Sequence, residues 1–216
     1  MKKIKIWDSP TRLFHWALVI NIIAAWYTIE NRLIELHEIA GHTLIALLVF
    51  RVCWGFVGST TARFSHFITH PISALQYLVK SLKLKVHHKI GHNPAGGWMI
   101  VIMMLVIGFQ LISGLLANND LGFSGALSDY VSKATSDRLT QLHGLNFDLL
   151  VAIIWVHLVA VFFYVLVKRD NLVKAMITGF KILERQPAFR LRFASMYLAV
   201  SVFLLSAGLS AYLYYP

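Results

Sequence analysis

Five apolar runs, each about the length of a membrane-crossing helix, constrain this chain more than any other feature of its sequence. They occupy approximately residues 9–27, 39–57, 98–117, 145–167 and 193–215. A helix needs roughly 20 apolar residues to cross a bilayer, and a backbone in lipid must satisfy its polar groups within its own helix. Hydrophobic residues make up 57% of the 216 positions and charged residues only 14%. The sequence therefore predicts an all-α integral membrane protein with five spans.

The N-terminus is predicted to be an uncleaved first span. Its basic segment, MKKIKIWDSPTRLFHW, leads directly into an apolar run, and no small-residue cleavage site follows. Ser9 followed by Pro10 favours a helix start, because serine accepts from the free amides of a first turn and proline suits the first helical position. The one cysteine, Cys53, excludes an internal disulfide and a cysteine-based zinc or iron–sulfur site.

Lysine and arginine predict how the chain is oriented. Alternate segments, namely the N-terminus to Arg12, residues 51–89 and residues 168–192, hold 17 of the 20. The positive-inside rule then places the N-terminus in the cytoplasm and the C-terminus on the periplasmic side of the inner membrane. The formal charge of +10 is thus explained by topology, so membrane lipid is an expected partner and nucleic acid is not. Within the second basic segment, apolar positions alternating with lysines over 72–84 predict an amphipathic helix on the cytoplasmic surface.

Histidines fall in pairs at matching depths of the predicted spans. His143 and His157 bracket the fourth run, LHGLNFDLLVAIIWVH. Fourteen residues of helix place them within about 40° of one another and roughly 21 Å apart along the axis. His15 on the first span lies level with His157 towards the cytoplasm, whereas His37 or His42 on the second lies level with His143 towards the outside. Ionisable side chains within a membrane are costly and normally face a partner inside the bundle.

Two such pairs predict two haem groups, each with its iron held between imidazoles of facing helices. His37 and His42 are about 140° apart on one helix and cannot enter the same pocket. His37 is preferred, because Gly41 shares its face and would let a flat macrocycle approach the backbone. His42 is left to hydrogen-bond within the bundle or to contact a propionate. A single buried histidine is more often a helix contact or a proton relay, so the prediction depends on four histidines at paired depths. With one cysteine in the chain, any haem is held without thioether bonds.

Arg51 and Arg12 are candidate partners for haem propionates. Arg51 follows His37 by fourteen residues and is predicted at the depth of the cytoplasmic haem, and Arg12 precedes His15 by one turn. A guanidinium offers bidentate hydrogen bonds to a carboxylate. The alternative, in which both side chains reach phospholipid headgroups, stays open. Asp148 is also left open between a polar contact among helices and a proton path.

Several motifs together resemble the bacterial cytochrome b561 family, which includes the b-type cytochrome subunits of nickel–iron hydrogenases. The motifs, found in the family's order, are RLFHW at 12–16, HEIAG at 37–41, GHNPAGG at 91–97, the pair His143 and His157, and RDNLVKAMITG at 169–179. The resemblance covers the chain to about residue 181.

The resemblance implies a four-helix bundle that holds two haem b groups non-covalently through His15, His37, His143 and His157. Residues 1–181 are expected to form this di-haem domain. Residues 182–216 are expected to add a fifth transmembrane helix that packs on the core or on a partner subunit.

The expected function is electron transfer between a quinone pool, ubiquinone or menaquinone, and a redox partner of the respiratory chain, such as a cytochrome c or a periplasmic redox subunit. Iron with two axial imidazoles has no open position, which suits outer-sphere transfer. Whether the protein is an enzyme in its own right stays open. The alternatives are a superoxide:quinone oxidoreductase, the membrane anchor and electron-transfer subunit of a hydrogenase-like enzyme, and a haem-free transporter or proton channel.

Overall fold

The computed structural model describes residues 2–82, 91–118, 123–183 and 189–214. Within these ranges, five helices are long and apolar enough to cross a membrane: α1 (Ser9–Glu30), α2 (Ile34–Val57), α5 (Pro94–Leu115), α6 (Lys133–Leu166) and α8 (Met196–Tyr214). Shorter elements connect them: β1 (Lys2–Lys5), α3 (Phe64–Phe67), α4 (Pro71–Leu82), α7 (Leu172–Thr178) and β2 (Phe180–Leu183). The predicted fold class, an all-α membrane protein with five spans, is confirmed.

Local hydrogen bonds explain where the long helices begin. The cap of α1 is Asp8, whose Oδ1 accepts from the Thr11 amide at 2.8 Å, so the prediction of Ser9 as the capping residue was wrong by one position. Asn93 caps α5 in the same way, accepting from the Gly96 amide at 2.8 Å. α6 begins at Lys133 rather than at the predicted Leu145, because hydrophobicity marks only the part of a helix that lies in lipid.

The chain forms two compact units, and each long helix contributes to both. Unit 1 comprises Met1–Leu13, Arg51–Ile102 and Ile154–Ala199, and it contains the segments predicted to face the cytoplasm. Unit 2 comprises Phe14–Phe50, Met103–Ile153 and Val200–Pro216.

Unit 1 contains a small antiparallel sheet that the sequence analysis did not predict. Strand β1 pairs with β2 so that Lys2 lies opposite Leu183 and Lys5 opposite Phe180. The chain then continues across the end of α7, where the Gly179 carbonyl accepts from the amides of Ile6 and Trp7 at 2.8 and 3.1 Å. Gly179 has a φ of 83°, the left-handed conformation that ends many helices and favours glycine.

One face of helix α4 packs against the protein, and the opposite face is exposed. Its apolar residues Ile72, Leu75, Leu78 and Val79 are exposed, as expected for a helix lying on a membrane surface. On its other face, the hydroxyls of Tyr77 and Ser81 each lie 3.3 Å from the Tyr164 hydroxyl of α6, which also accepts from the Asn93 amide at 2.9 Å. Burial and the hydrogen-bond contact with Tyr164 raise the pKa of Tyr77, so the Tyr77 hydroxyl keeps its proton at neutral pH. The predicted helix is confirmed, although its residues 83 and 84 lie outside the described ranges.

In unit 2, α8 packs along α2. The Ser210 hydroxyl donates to the His42 carbonyl at 2.6 Å, and the His42 Nδ1 lies 3.2 Å from the Ser210 carbonyl. Phe50 and Phe203 meet further along the same two helices, with ring centroids 6.2 Å apart. The fifth span therefore packs on its own chain, and His42 is one of its contacts.

Candidate haem sites

Unit 2 brings the imidazole rings of His37 on α2 and His143 on α6 next to each other. Their ring centroids are 6.3 Å apart and their ring planes are inclined at 83°. Both side chains are half-buried. The structure thus joins the two histidines predicted to form the outer pair.

Backbone carbonyls hold the same nitrogen of each ring. The Nδ1 of His37 lies 2.8 Å from the Ala25 carbonyl of α1, and the Nδ1 of His143 lies 2.9 Å from the Gln110 carbonyl of α5. A carbonyl can only accept, so each Nδ1 carries a proton, and in a neutral imidazole this leaves the lone pair on Nε2. Histidines that ligate metals commonly donate their other ring N–H to a carbonyl, which fixes the tautomer.

The ring separation of 6.3 Å matches that of two imidazoles that bind one metal ion through Nε2. Bonds of about 2.0–2.1 Å from metal to nitrogen, with each ring centre about 1.1 Å behind its nitrogen, give a separation of about 6.2–6.4 Å. The described ranges contain no group of three or more His, Cys, Asp or Glu side chains able to hold a metal ion by themselves. Two facing histidines therefore suit a group that brings its own remaining ligands, as a haem does.

Helix α5 contacts the His143 side chain through its backbone and through Ser113. Ser113 is fully buried, and its Oγ lies 3.1 Å from the His143 Nδ1. A Cβ added at Gly114 would lie 2.9 Å from the Cε1 of His143, so the ring occupies space that only glycine leaves open. One turn away, the Asn146 amide donates to the Gln110 side chain at 2.6 Å. The sequence analysis missed these residues, although Gln110 and Ser113 are polar residues one turn apart in an otherwise apolar span.

Open space lies beside Gly41, which is one turn after His37 on α2. A Cβ added at Gly41 would meet no heavy atom within 4 Å. On the neighbouring helix, the Asn21 amide donates to the Ala40 carbonyl at 2.7 Å, which ties α1 to α2 next to this glycine.

The inner pair falls in separate units, so its pairing stays a prediction from helix position. His15 is half-buried on α1 in unit 2, with its ring edge-on to Trp16 at 5.0 Å between centroids. His157 is half-buried on α6 in unit 1.

Arg51 and Arg12 both lie in unit 1, but they differ in their hydrogen bonds. Arg51 is only 4% exposed, and its guanidinium lies 5.1 and 5.9 Å from the ring centroids of Phe64 and Phe67. Its Nη1 is buried and has no hydrogen-bond partner among the described residues. Arg12 donates through Nη1 to the Ile177 carbonyl and through Nη2 to the Ser9 hydroxyl. Of these two arginines, Arg51 makes no side-chain hydrogen bond among the described residues, whereas Arg12 makes two.

Two further features of the sequence, the GHNPAGG motif and Asp148, are not part of the histidine pairs. The GHNPAGG motif packs within unit 1: Gly91 has a φ of 71°, and the His92 ring lies between Trp7 and Phe67 at centroid distances of 4.5 and 4.9 Å. Asp148 is exposed on α6 and makes no hydrogen bond or ion pair within the described ranges.

Five long apolar helices and a close pair of histidines fit a multi-pass membrane protein of the cytochrome type. The chain belongs to the prokaryotic cytochrome b561 family, whose family model matches residues 6–179. It is accordingly a membrane-spanning b-type cytochrome of electron transport, and haem b is the cofactor that the family implies. This membership decides against the haem-free transporter.

Three similar proteins bear the name probable Ni/Fe-hydrogenase B-type cytochrome subunit. That of Rhizobium leguminosarum is 21% identical, covering 82% of this chain and 88% of its own length. That of Bradyrhizobium diazoefficiens is 24% identical, covering 84% and 85%. That of Azotobacter vinelandii is 23% identical, covering 83% and 88%. No solved structure matches the chain.

Proposed function

We propose that this protein carries electrons between a quinone pool and a redox partner through two haem b groups, each held by two histidines. The observation that carries the proposal is the geometry of His37 and His143. Their ring separation suits one metal ion, and both Nδ1 atoms are hydrogen-bonded to carbonyls, which supports Nε2 as the ligand atom of each ring.

The outer haem would be held by His37 and His143, with Gly41 giving the macrocycle access to the backbone of α2. Helices α1 and α5 each hold one of the two imidazoles through a carbonyl. Four helix segments of unit 2 thus take part in the site, although only α2 and α6 provide ligands.

The inner haem would be held by His15 and His157. Support comes from helix position, since His157 follows His143 by fourteen residues on one continuous helix, and His15 lies early in α1. The buried Arg51 Nη1 would pair with a propionate, because a buried cation without a hydrogen-bonded partner is costly. Arg12 is a second candidate for this role through its buried Nε.

When bound between two imidazoles, haem b supplies one-electron redox chemistry and leaves the metal no open position. The protein's own residues orient the two groups and keep them in an apolar setting. This arrangement suits the passage of electrons from one partner to another at opposite ends of the helices. Ubiquinone or menaquinone is the proposed partner in the membrane, and a cytochrome c or a periplasmic redox subunit is the proposed soluble partner.

A second candidate is the membrane anchor and electron-transfer subunit of a hydrogenase-like enzyme. It is favoured by the printed names of the three similar proteins. Copurification from native membranes with a redox enzyme subunit would support this role. Full activity with quinol and an isolated soluble acceptor, without any copurifying subunit, would support the independent carrier instead.

The central test is the haem content of purified protein and its histidine variants. We expect two haem b groups per chain in the wild type and one in either His143→Ala or His37→Ala, with the same component of the reduced-minus-oxidised spectrum lost from both. His157→Ala should lose the other component. Retention of both haems by His143→Ala would overturn the site assignment.

The matched control is His42→Ala, on the same helix as His37. Because the His42 Nδ1 contacts the Ser210 carbonyl of α8, this variant should keep both haems. A halved haem content in His42→Ala, with full content in His37→Ala, would exchange their roles. Reduction assays with quinol, cytochrome c and superoxide on the wild type would then identify the donor and the acceptor.

A further inference from the structure

Three atoms form a closed hydrogen-bonded triangle at the outer site. The Ser113 Oγ donates to the Gln110 carbonyl of its own helix at 3.0 Å. The His143 Nδ1 lies 2.9 Å from that carbonyl and 3.1 Å from the Ser113 Oγ. Because the serine proton points to the carbonyl, its oxygen lone pair is available to the imidazole N–H. The N–H of His143 is therefore shared between two acceptors on α5.

Two acceptors restrain a ring in a way that one does not. An imidazole held by one hydrogen bond can turn about the line that joins its donor and its acceptor. A second acceptor off that line fixes the plane of the ring. The backbone of Gly114 adds a steric limit, since a Cβ there would lie 2.9 Å from Cε1 and 3.3 Å from Nδ1 of His143.

We propose that Ser113 is a positioning residue that holds the plane of His143 nearly perpendicular to that of His37, and that it thereby sets the electronic properties of the outer haem. The inference rests on the proposed function, because it requires His143 to be an axial ligand. The observed angle of 83° between the two rings is the arrangement that Ser113 maintains. Hydrogen bonding at Nδ1 also makes an imidazole a stronger electron donor to its metal, which favours the oxidised state.

The test is Ser113→Ala in the purified holoprotein, studied by electron paramagnetic resonance of the ferric state and by redox titration. Near-perpendicular axial imidazoles give a highly anisotropic low-spin ferric signal. We expect one haem to lose part of that anisotropy and to shift its midpoint potential upwards, because an acceptor at Nδ1 has been removed. The haem content and the signal of the second haem should stay unchanged.

Two further variants separate positioning from general damage. Ser113→Thr keeps the hydroxyl and should retain the wild-type signal and potential. Ser206→Ala removes an equally buried serine of α8 whose Oγ donates to the Val202 carbonyl of its own helix at 2.8 Å, and it should change neither haem. Loss of one haem from Ser113→Ala but not from Ser113→Thr would also support the inference.

The inference is overturned if Ser113→Ala leaves both signals and both potentials as in the wild type. It is equally overturned if Ser206→Ala causes the same shift, or if both Ser113 variants lose the haem. These results are separable from a failure of the proposed function. A silent Ser113→Ala, beside a His143→Ala variant that loses one haem, removes only the positioning role. A His143→Ala variant that keeps both haems removes the haem assignment itself.

Discussion

At the scale of single residues, the outer site depends on two backbone carbonyls and on a glycine as much as on the histidines. His37 and His143 are each oriented by a carbonyl, and His143 in addition occupies space left by Gly114. A carbonyl belongs to every residue and carries no sequence signature. Matching depth therefore predicted that His37 lies near His143. The contacts with the carbonyls of Ala25 and Gln110 depend on the register between neighbouring helices, which the sequence does not give.

Gly114→Ala is expected to weaken or abolish the outer haem while the inner one is kept. The new Cβ would lie 2.9 Å from the His143 Cε1, closer than carbon atoms pack, so the imidazole has to move. A loss of up to one haem per chain should be measurable by pyridine haemochrome assay.

The control is Gly108→Ala, on the same helix. Its Cβ would lie 3.7 Å from the Leu48 Cδ2, an ordinary contact, so both haems should be kept. Exchange of glycine for alanine within a helix should also add about 1 kcal/mol of stability there. Full haem content in both alanine variants would contradict the account of Gly114.

At the scale of elements, long apolar helices were predictable and short pairings were not. The five spans and the amphipathic helix α4 follow from hydrophobic length and periodicity, which do not depend on distant residues. Strand β1 was not predicted, because four largely basic residues become a strand only when β2 pairs with them. The start of α6 was missed for a related reason, since its first three turns lie outside the apolar run.

Tyr164→Phe should loosen α4 from α6. The variant removes one oxygen that contacts Tyr77, Ser81 and Asn93, and it leaves those polar groups without this partner. The cost is expected to be about 1–3 kcal/mol in the free energy of unfolding. Thermal denaturation in detergent measures it, and faster tryptic cleavage at Lys80 would locate the change in α4.

Tyr197→Phe provides the comparison for this variant. Tyr197 is 88% exposed on α8, so removing its hydroxyl should leave the stability unchanged. Equal melting temperatures for the two phenylalanine variants would show that the Tyr164 cluster does not anchor α4.

At the scale of the whole molecule, the uneven distribution of lysine and arginine predicts the orientation of the chain in the membrane. Of the 20 lysines and arginines, 17 lie in alternate connecting segments, which the positive-inside rule predicts to be cytoplasmic. With five spans, the two termini are then predicted on opposite sides. This orientation makes His37 and His143 the pair towards the outside. The outer connecting segments carry six acidic residues and three basic ones. This balance disfavours a superoxide oxidoreductase, which would gain from a positively charged approach to its haem.

Reporter fusions are expected to show the N-terminus inside and the C-terminus outside. Alkaline phosphatase joined to the C-terminus should be active, because it folds only in the periplasm, and green fluorescent protein at the same position should stay dark. A fluorescent C-terminal fusion would reverse the orientation or reduce the number of spans. In the first case His15 and His157 would become the outer pair.

The pairing of β1 with β2 also bears on the order in which the protein is made. Strand β1, residues 2–5, is synthesised at the start of the chain, whereas its partner β2, residues 180–183, is synthesised near the end. The amides of Ile6 and Trp7 must likewise wait for the Gly179 carbonyl. The sheet of unit 1 can therefore form only after the four long helices α1, α2, α5 and α6 have been synthesised. Until then the N-terminal segment lacks the partner strand that it has in the folded protein, so a chain that ends before residue 180 cannot form this sheet.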